Sequence, residues 1–309
     1  MKFDLLANLI NEGIKEDLYR DVVLEKPRLA FKLIEKRMEK NQQVSDDLLK
    51  AAVKDDSLIE PLSYMIIKET GEIPDIILNS IVRPDMAENV AELYLERDIK
   101  VPQRLLQVAT GIKGFSTALI KMHLKYNKPV PDILLSKTSE MMVANFELAE
   151  AYLKKGRPVP EIILNKISEY PGWSYDLIDE YLKIKIPVPE KLVDSVAQSS
   201  QRSLWTAEAY LNSGQNPPEK LIKSVSDALR FSVQLAATYL EKDLQPPETL
   251  INTASLDAGQ SMELLLFYLT WNKPLPEKLL QTIKNEPYIK KIFIERLLRR
   301  KRPVPETLQ

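Results

Sequence analysis

The chain carries one histidine, His123, and no cysteine. A lone imidazole could serve as a general base or give one ligand to a metal, but a conventional zinc site needs three or four ligands drawn largely from His and Cys. Without cysteine, disulfides, thiolate metal sites and a thiol nucleophile are all excluded. Carboxylates fall at helical spacing in Asp176/Asp179/Glu180 and Glu147/Glu150. Such pairs can divide acid and base work, and the same spacing lines them along one solvated helix face, which is the reading preferred here. Gly111 and Gly114 sit in Thr110-Gly111-Ile112-Lys113-Gly114, a connection between helices with no phosphate-loop spacing. Tyr152, Tyr181, Tyr210, Tyr239 and Tyr268 recur every 29 residues, and a tyrosine ladder can stack nucleic-acid bases. His123 stands one interval before Tyr152, so it belongs to the same column. Because the column lies among apolar positions, it is expected in the core. No Ser/His/Asp set can be built around one core histidine, so no enzyme, no cofactor and no metal are expected.

The elements that must position these residues are announced by proline. Pro102, Pro131, Pro160, Pro189, Pro218, Pro247, Pro276 and Pro305 stand 29 residues apart, and Pro74 lies 28 before the first of them. Internal repeats of this length indicate solenoids or arrays. With the proline as position zero, position 1 is mostly acidic and positions 3 and 4 are aliphatic, as in Leu134-Leu135 and Leu221-Ile222. A second apolar set occupies positions 17, 18, 21 and 22, as in Leu235, Ala236, Tyr239 and Leu240. These spacings are helical. Each unit therefore reads as two helices. Helix B is expected to start at the proline, which suits a first turn, and to run about ten residues. Helix A is expected to start near position 14, with Ser116, Ser174, Ser203, Ser232 and Ser261 as N-caps. Phe115, Trp173 and Phe231 before them are expected as hydrophobic staples. Position 25 holds Asn41, Asp98, Asn127, Gly156, Gly214, Asp243 or Asn272, types that accept the left-handed backbone closing a helix.

The expected fold is all-α, a right-handed α-α superhelix of about ten 29-residue helix pairs forming one domain over residues 1–309. Residues 1–101 are divergent repeats, with Ser45 and Glu16 at the proline position. Residues 102–288 are the regular ones, and 289–309 are a basic C-terminal repeat or cap. The apolar run from Met262 to Trp271 includes Glu263 and is too short to span a bilayer. The first residues, Met1-Lys2-Phe3-Asp4-Leu5-Leu6, lead into Asn8, Asn11 and Glu12 without a signal-peptide core. A soluble, cytoplasmic protein is expected.

Net charge is −1, which does not suit a dedicated nucleic-acid binder. The charge is uneven, however: Lys284 to Gln309 hold eight Lys/Arg against three Glu. Two sets of residues are candidates for binding. Trp205, Trp271 and Tyr126 fall at positions elsewhere mostly polar, and exposed aromatics anchor protein interfaces. Arg104, Lys137, Lys166, Lys191, Lys220, Lys223 and Lys278 form a mildly basic ribbon on helix B, continued by Arg299, Arg300 and Arg302. Such a ribbon could follow an anionic partner.

The segment Ser168-Glu169-Tyr170-Pro171-Gly172-Trp173-Ser174-Tyr175, followed by Tyr181-Leu182 and Pro187-Val188-Pro189-Glu190, resembles repeats of uncharacterised proteins from large tailed bacteriophages. That resemblance implies an α-superhelix and no activity. The repeat length and the proline at a helix start are also similar to mitochondrial transcription-termination-factor repeats. Those bind duplex DNA through strongly basic faces, from which this near-neutral chain departs. The expected function is a non-enzymatic scaffold or inhibitor with a protein partner, a phage protein engaging a host factor being one form of it. The alternative is nucleic-acid binding along helix B and the basic C-terminus.

Overall fold

Every proline that marks the repeat sits just ahead of a short helix. In the computed structural model, which describes residues 20–138 and 142–309, Pro74, Pro102, Pro131, Pro160, Pro189, Pro218, Pro247 and Pro276 all take φ between −65 and −55 and ψ between 125 and 146. That ψ is extended, so each proline is the N-cap, and the helix begins at the next residue, acidic in all but Gln103. The carbonyl of the proline accepts the first helical N–H, as from Leu192 to Pro189 at 3.0 Å. The acidic side chain then faces the positive end of the helix dipole. These short helices run five to eight residues, not ten, because the chain turns into the long helix sooner than the serines suggest.

Two compact units divide the chain, one ending at Lys155 and the other running Gly156–Gln309. The first holds α1 (Arg20–Glu25), α2 (Pro27–Glu39), α3 (Asp46–Ala52), α4 (Ile59–Thr70), α5 (Asp75–Ser80), α6 (Pro84–Glu96), α7 (Gln103–Ala109), α8 (Lys113–Lys125), α9 (Asp132–Ser136) and α10 (Met142–Lys154). The second holds α11 (Glu161–Ser168), α12 (Pro171–Lys183), α13 (Glu190–Val196), α14 (Ser200–Asn212), α15 (Glu219–Ser226), α16 (Leu229–Glu241), α17 (Glu248–Ala254), α18 (Ala258–Thr270), α19 (Glu277–Lys284) and α20 (Pro287–Arg299). Short and long helices alternate. Within each unit, long helix packs on the next long helix and short on the next short one, the arrangement of a tandem-repeat solenoid. Glu16, read as the first repeat position, and the Met1–Leu6 segment lie outside the described residues.

The long helix starts at position 11, not 14. Its N-cap is at position 10, where Ser199 accepts from the Arg202 N–H and Asp257 accepts from the Gln260 N–H at 2.8 Å. The serines at position 14 are therefore not caps. Ser116, Ser174, Ser203, Ser232 and Ser261 lie one turn inside the helix and are fully buried. Phe115, Trp173 and Phe231 accordingly sit within the helix and are no staples.

Helix ends follow the expectation. Asn41, Asp98, Asn127, Gly156, Gly214, Asp243 and Asn272 all have positive φ, and Lys185 and Lys301 share it. The next N–H reaches back five residues, from Lys128 to the His123 carbonyl at 2.7 Å and from Gln215 to the Tyr210 carbonyl at 2.9 Å. This is the closure that satisfies the last carbonyls of a helix.

The core is the two apolar sets. Leu105, Leu134, Ile163, Leu192, Leu221, Leu250 and Leu279 at position 3 have no exposed surface, each contributing roughly 1.5–3 kcal/mol of burial. The tyrosine column is buried too. Burial pushes the phenols of Tyr181, Tyr210 and Tyr268 up to about 12, as expected for groups removed from water.

Candidate functional site

Many of the polar contacts between repeats join side chains 26 or 30 residues apart, that is, one repeat less three or plus one. On the short helices Lys191 reaches Glu161 at 3.1 Å and also Asn165, Lys220 reaches Asp194, and Lys278 reaches Asn252 at 2.6 Å. Lys166 pairs within its own helix end, with Glu169 at 3.2 Å. Four lysines of the sequence-derived ribbon therefore bind carboxylates or amides of their own chain. Arg104, Lys137 and Lys223 are exposed. At the C-terminal end Arg300 reaches Thr270 at 3.3 Å and Arg302 reaches Asn272, whereas Arg299 is exposed. Only Lys166, Lys191 and Lys220 meet a carboxylate; the others named here meet a neutral oxygen or lie exposed, so the ribbon keeps most of its positive charge.

The aromatics divide. Tyr126, the C-cap of α8, is half-buried, and its hydroxyl donates towards Glu92 at 2.9 Å and Glu96 at 3.0 Å, with the Lys125 ammonium 4.7 Å from its ring centre. Tyr126 thus ties α8 to α6 and is less open than its place in the repeat suggests. Trp271 is the C-cap of α18 and 42% exposed. Trp205 on α14 is 40% exposed and lies 6.3 Å from the ring of Tyr175 on α12, the planes tilted by 57°. The two rings wall an open cleft of about 600 Å³, completed by Asp179, Lys183 and Glu208. Lys183 bridges to Asp179 at 2.9 Å and Glu180 at 2.8 Å, and Glu208 accepts from Gln234 at 3.2 Å. The carboxylates Asp179, Asp176 and Glu208, together with burial, hold the Tyr175 phenol above its ordinary range. Tyr175 was not singled out from the sequence, yet it precedes Trp205 by 30 residues, one of the two contact spacings.

His123 is 4% exposed, and its Nδ1 lies 2.8 Å from the Pro129 carbonyl. A carbonyl only accepts, so Nδ1 carries the proton and Nε2 is left as an acceptor. Burial lowers the imidazole below its ordinary range, opposed by the bond to Pro129. His123 is thus a neutral core residue of the tyrosine column. Among the described residues no three His, Asp or Glu side chains are placed to hold a metal, and no helix is long and apolar enough to cross a membrane.

No protein-family model matches the chain, and no curated protein matches it. Among solved structures it is similar to a circular tandem repeat protein with novel repeat topology and enhanced subunit contact surfaces, at 14% identity over 97% of this chain and 72% of that one, with a TM-score of 0.18. A likeness at that score carries no argument about fold or function. The helix-pair architecture rests on the packing described above.

Proposed function

We propose that this chain is a non-enzymatic binding scaffold that holds a protein partner through the cleft beside Trp205. The observation that carries this reading is a half-exposed tryptophan set against a tyrosine of the preceding repeat, over an open cleft. Tryptophan and tyrosine anchors in such clefts carry much of the energy of protein interfaces. The burial of His123, whose Nε2 has no access to solvent, argues against general-base work. A cysteine-free chain suits a reducing cytoplasm, and the likeness to tailed-bacteriophage repeats makes a host factor the first partner class to try. Nucleic-acid binding has less support, because Lys191, Lys220 and Lys278 are engaged within the chain.

Tagged protein captured from a bacterial lysate with and without nuclease, followed by mass spectrometry, separates the two readings. A stoichiometric protein that survives nuclease is expected. Trp205→Ala should then weaken its binding by ~2 kcal/mol, the scale of an interface hot spot, with helical content unchanged. Retention of full affinity in Trp205→Ala would remove the cleft from the proposal. Partners that vanish with nuclease would move the function to the basic residues.

A further inference from the structure

In the N-terminal unit, the edge where each long helix hands over to the next short one carries two grooves. They share Glu72 and Asp75. The larger, of about 1170 Å³, has Leu78, Leu106 and Ile133 in its lining, and the smaller, of about 600 Å³, continues it back to Leu49 and Ile66. Carboxylates dominate the charge along both: Asp46, Glu72, Asp75, Asp98 and Asp132, against Lys100 and Lys128. Lys128 is tied to Asp98. No described Lys or Arg is in ion-pair contact with Glu72, Asp75 or Asp132, so their charge is left facing outwards. Asp46, Asp75 and Asp132 stand at helix starts, where the dipole favours them, but this leaves the groove negative.

His123 adds an independent observation. It lines the larger groove and its Nε2, an acceptor by the tautomer argued above, has no partner although buried.

We infer that this groove takes an extended, basic peptide segment of a partner protein. An extended strand sends alternate side chains to opposite faces, so apolar side chains can seat on the floor while Lys or Arg meet the carboxylate rim. Repeats spaced about 8–10 Å apart make the run from Asp46 to Asp132 about eight or nine extended residues long. The inference stands on the first unit alone and does not depend on the cleft beside Trp205.

The test uses the full chain and a fluorescein-labelled decapeptide alternating lysine with leucine, read by fluorescence anisotropy. Saturable binding is expected, weakening with salt as exposed charges are screened. Asp75→Asn combined with Asp132→Asn should weaken it at least tenfold. Glu72→Gln, on an exposed loop, repeats the test without altering a helix start. His123→Tyr installs the residue that the column carries at 152, 181, 210, 239 and 268 and leaves the carboxylate rim intact, so affinity should there stay within about twofold of wild-type. Equal binding of a lysine–serine decapeptide would reduce the groove to diffuse charge and overturn the inference. So would equal binding of a glutamate–leucine decapeptide, absence of saturable binding, or indifference to both carboxylate variants.

Discussion

The repeats that open at Pro160 and Pro189 and the one that opens at Pro102 share a frame, yet they treat the same buried serine differently. Ser174 and Ser203 each donate to the carbonyl seven residues back, at Ile167 and Val196, and each meets a serine of the next repeat, Ser195 at 3.0 Å and Ser224 at 2.9 Å. Ser116 fills the equivalent place and has no partner for its hydroxyl, nor has the adjacent Thr117. The following repeat differs as well. Where Ser195 and Ser224 stand at position 6, the repeat at Pro131 has Lys137, which is exposed, and its short helix α9 is only five residues long. Ser232 and Ser261 keep the bond to the carbonyl seven residues back, at Val225 and Ala254, without a hydroxyl from the next repeat, so what sets Ser116 apart from all four is the missing bond to its own repeat's carbonyl. The unbonded Ser116 hydroxyl and the unpartnered Nε2 of His123 fall in the same repeat, one that also lines the acidic groove.

Ser203→Ala is the strongest way to break this comparison. It removes two hydrogen bonds and strands Ser224, which is itself buried. Stability should fall by ~1–2 kcal/mol, the cost of leaving a buried polar group unsatisfied. Urea unfolding followed by circular dichroism measures it. No change in midpoint would mean that the serine pair is geometry without energy, and the contrast with Ser116 would dissolve.

His123 sharpens the contrast through pH. Its imidazole is lowered by burial below its value in the unfolded chain, so the unfolded state binds the proton more readily. Stability from this group is complete above the unfolded value of about 6.5 and is lost as pH falls towards the depressed folded value. Wild-type should lose more stability than His123→Tyr between pH 7.5 and pH 5.5 in a urea titration. Parallel losses in the two proteins would show that His123 is not held neutral by the fold.

Much of this architecture could be read from the chain, and the misreadings have identifiable causes. Proline spacing and position 25 announced the repeat and the helix ends because both fix backbone dihedrals locally. Ser174 and its equivalents were misplaced as caps because the sequence signal for a cap, a serine ahead of an apolar run, is the same as that of a buried serine donating to a neighbouring carbonyl. Among the described residues the side-chain caps at this position are Asp55, Ser199 and Asp257, where Ile112, Tyr170, Ala228 and Glu286 stand in other repeats. The basic ribbon read as free charge because pairing between repeats needs the 26- and 30-residue offsets, which depend on how helices stack and not on any one repeat. The same offset hid Tyr175 behind Trp205. Tyr126 looked exposed for a related reason, since its partners Glu92 and Glu96 lie in the preceding long helix.

Ser116→Ala is the smallest effect and the most specific. Ser116 has no exposed surface and its hydroxyl no partner, so the wild-type protein bears the desolvation of a donor that gains nothing in return. Alanine removes that cost and loses only the contacts of one oxygen, while being the better helix former at an interior position. Stability should rise by ~0.5 kcal/mol, where Ser203→Ala lowers it, although the two residues occupy the same position of the repeat and are equally buried. Opposite signs in paired urea titrations would establish that a partner for the hydroxyl, not burial, decides what a serine at this position is worth. A loss at Ser116 as large as that at Ser203 would mean that its hydroxyl does find a partner, and would close the seam in both regions.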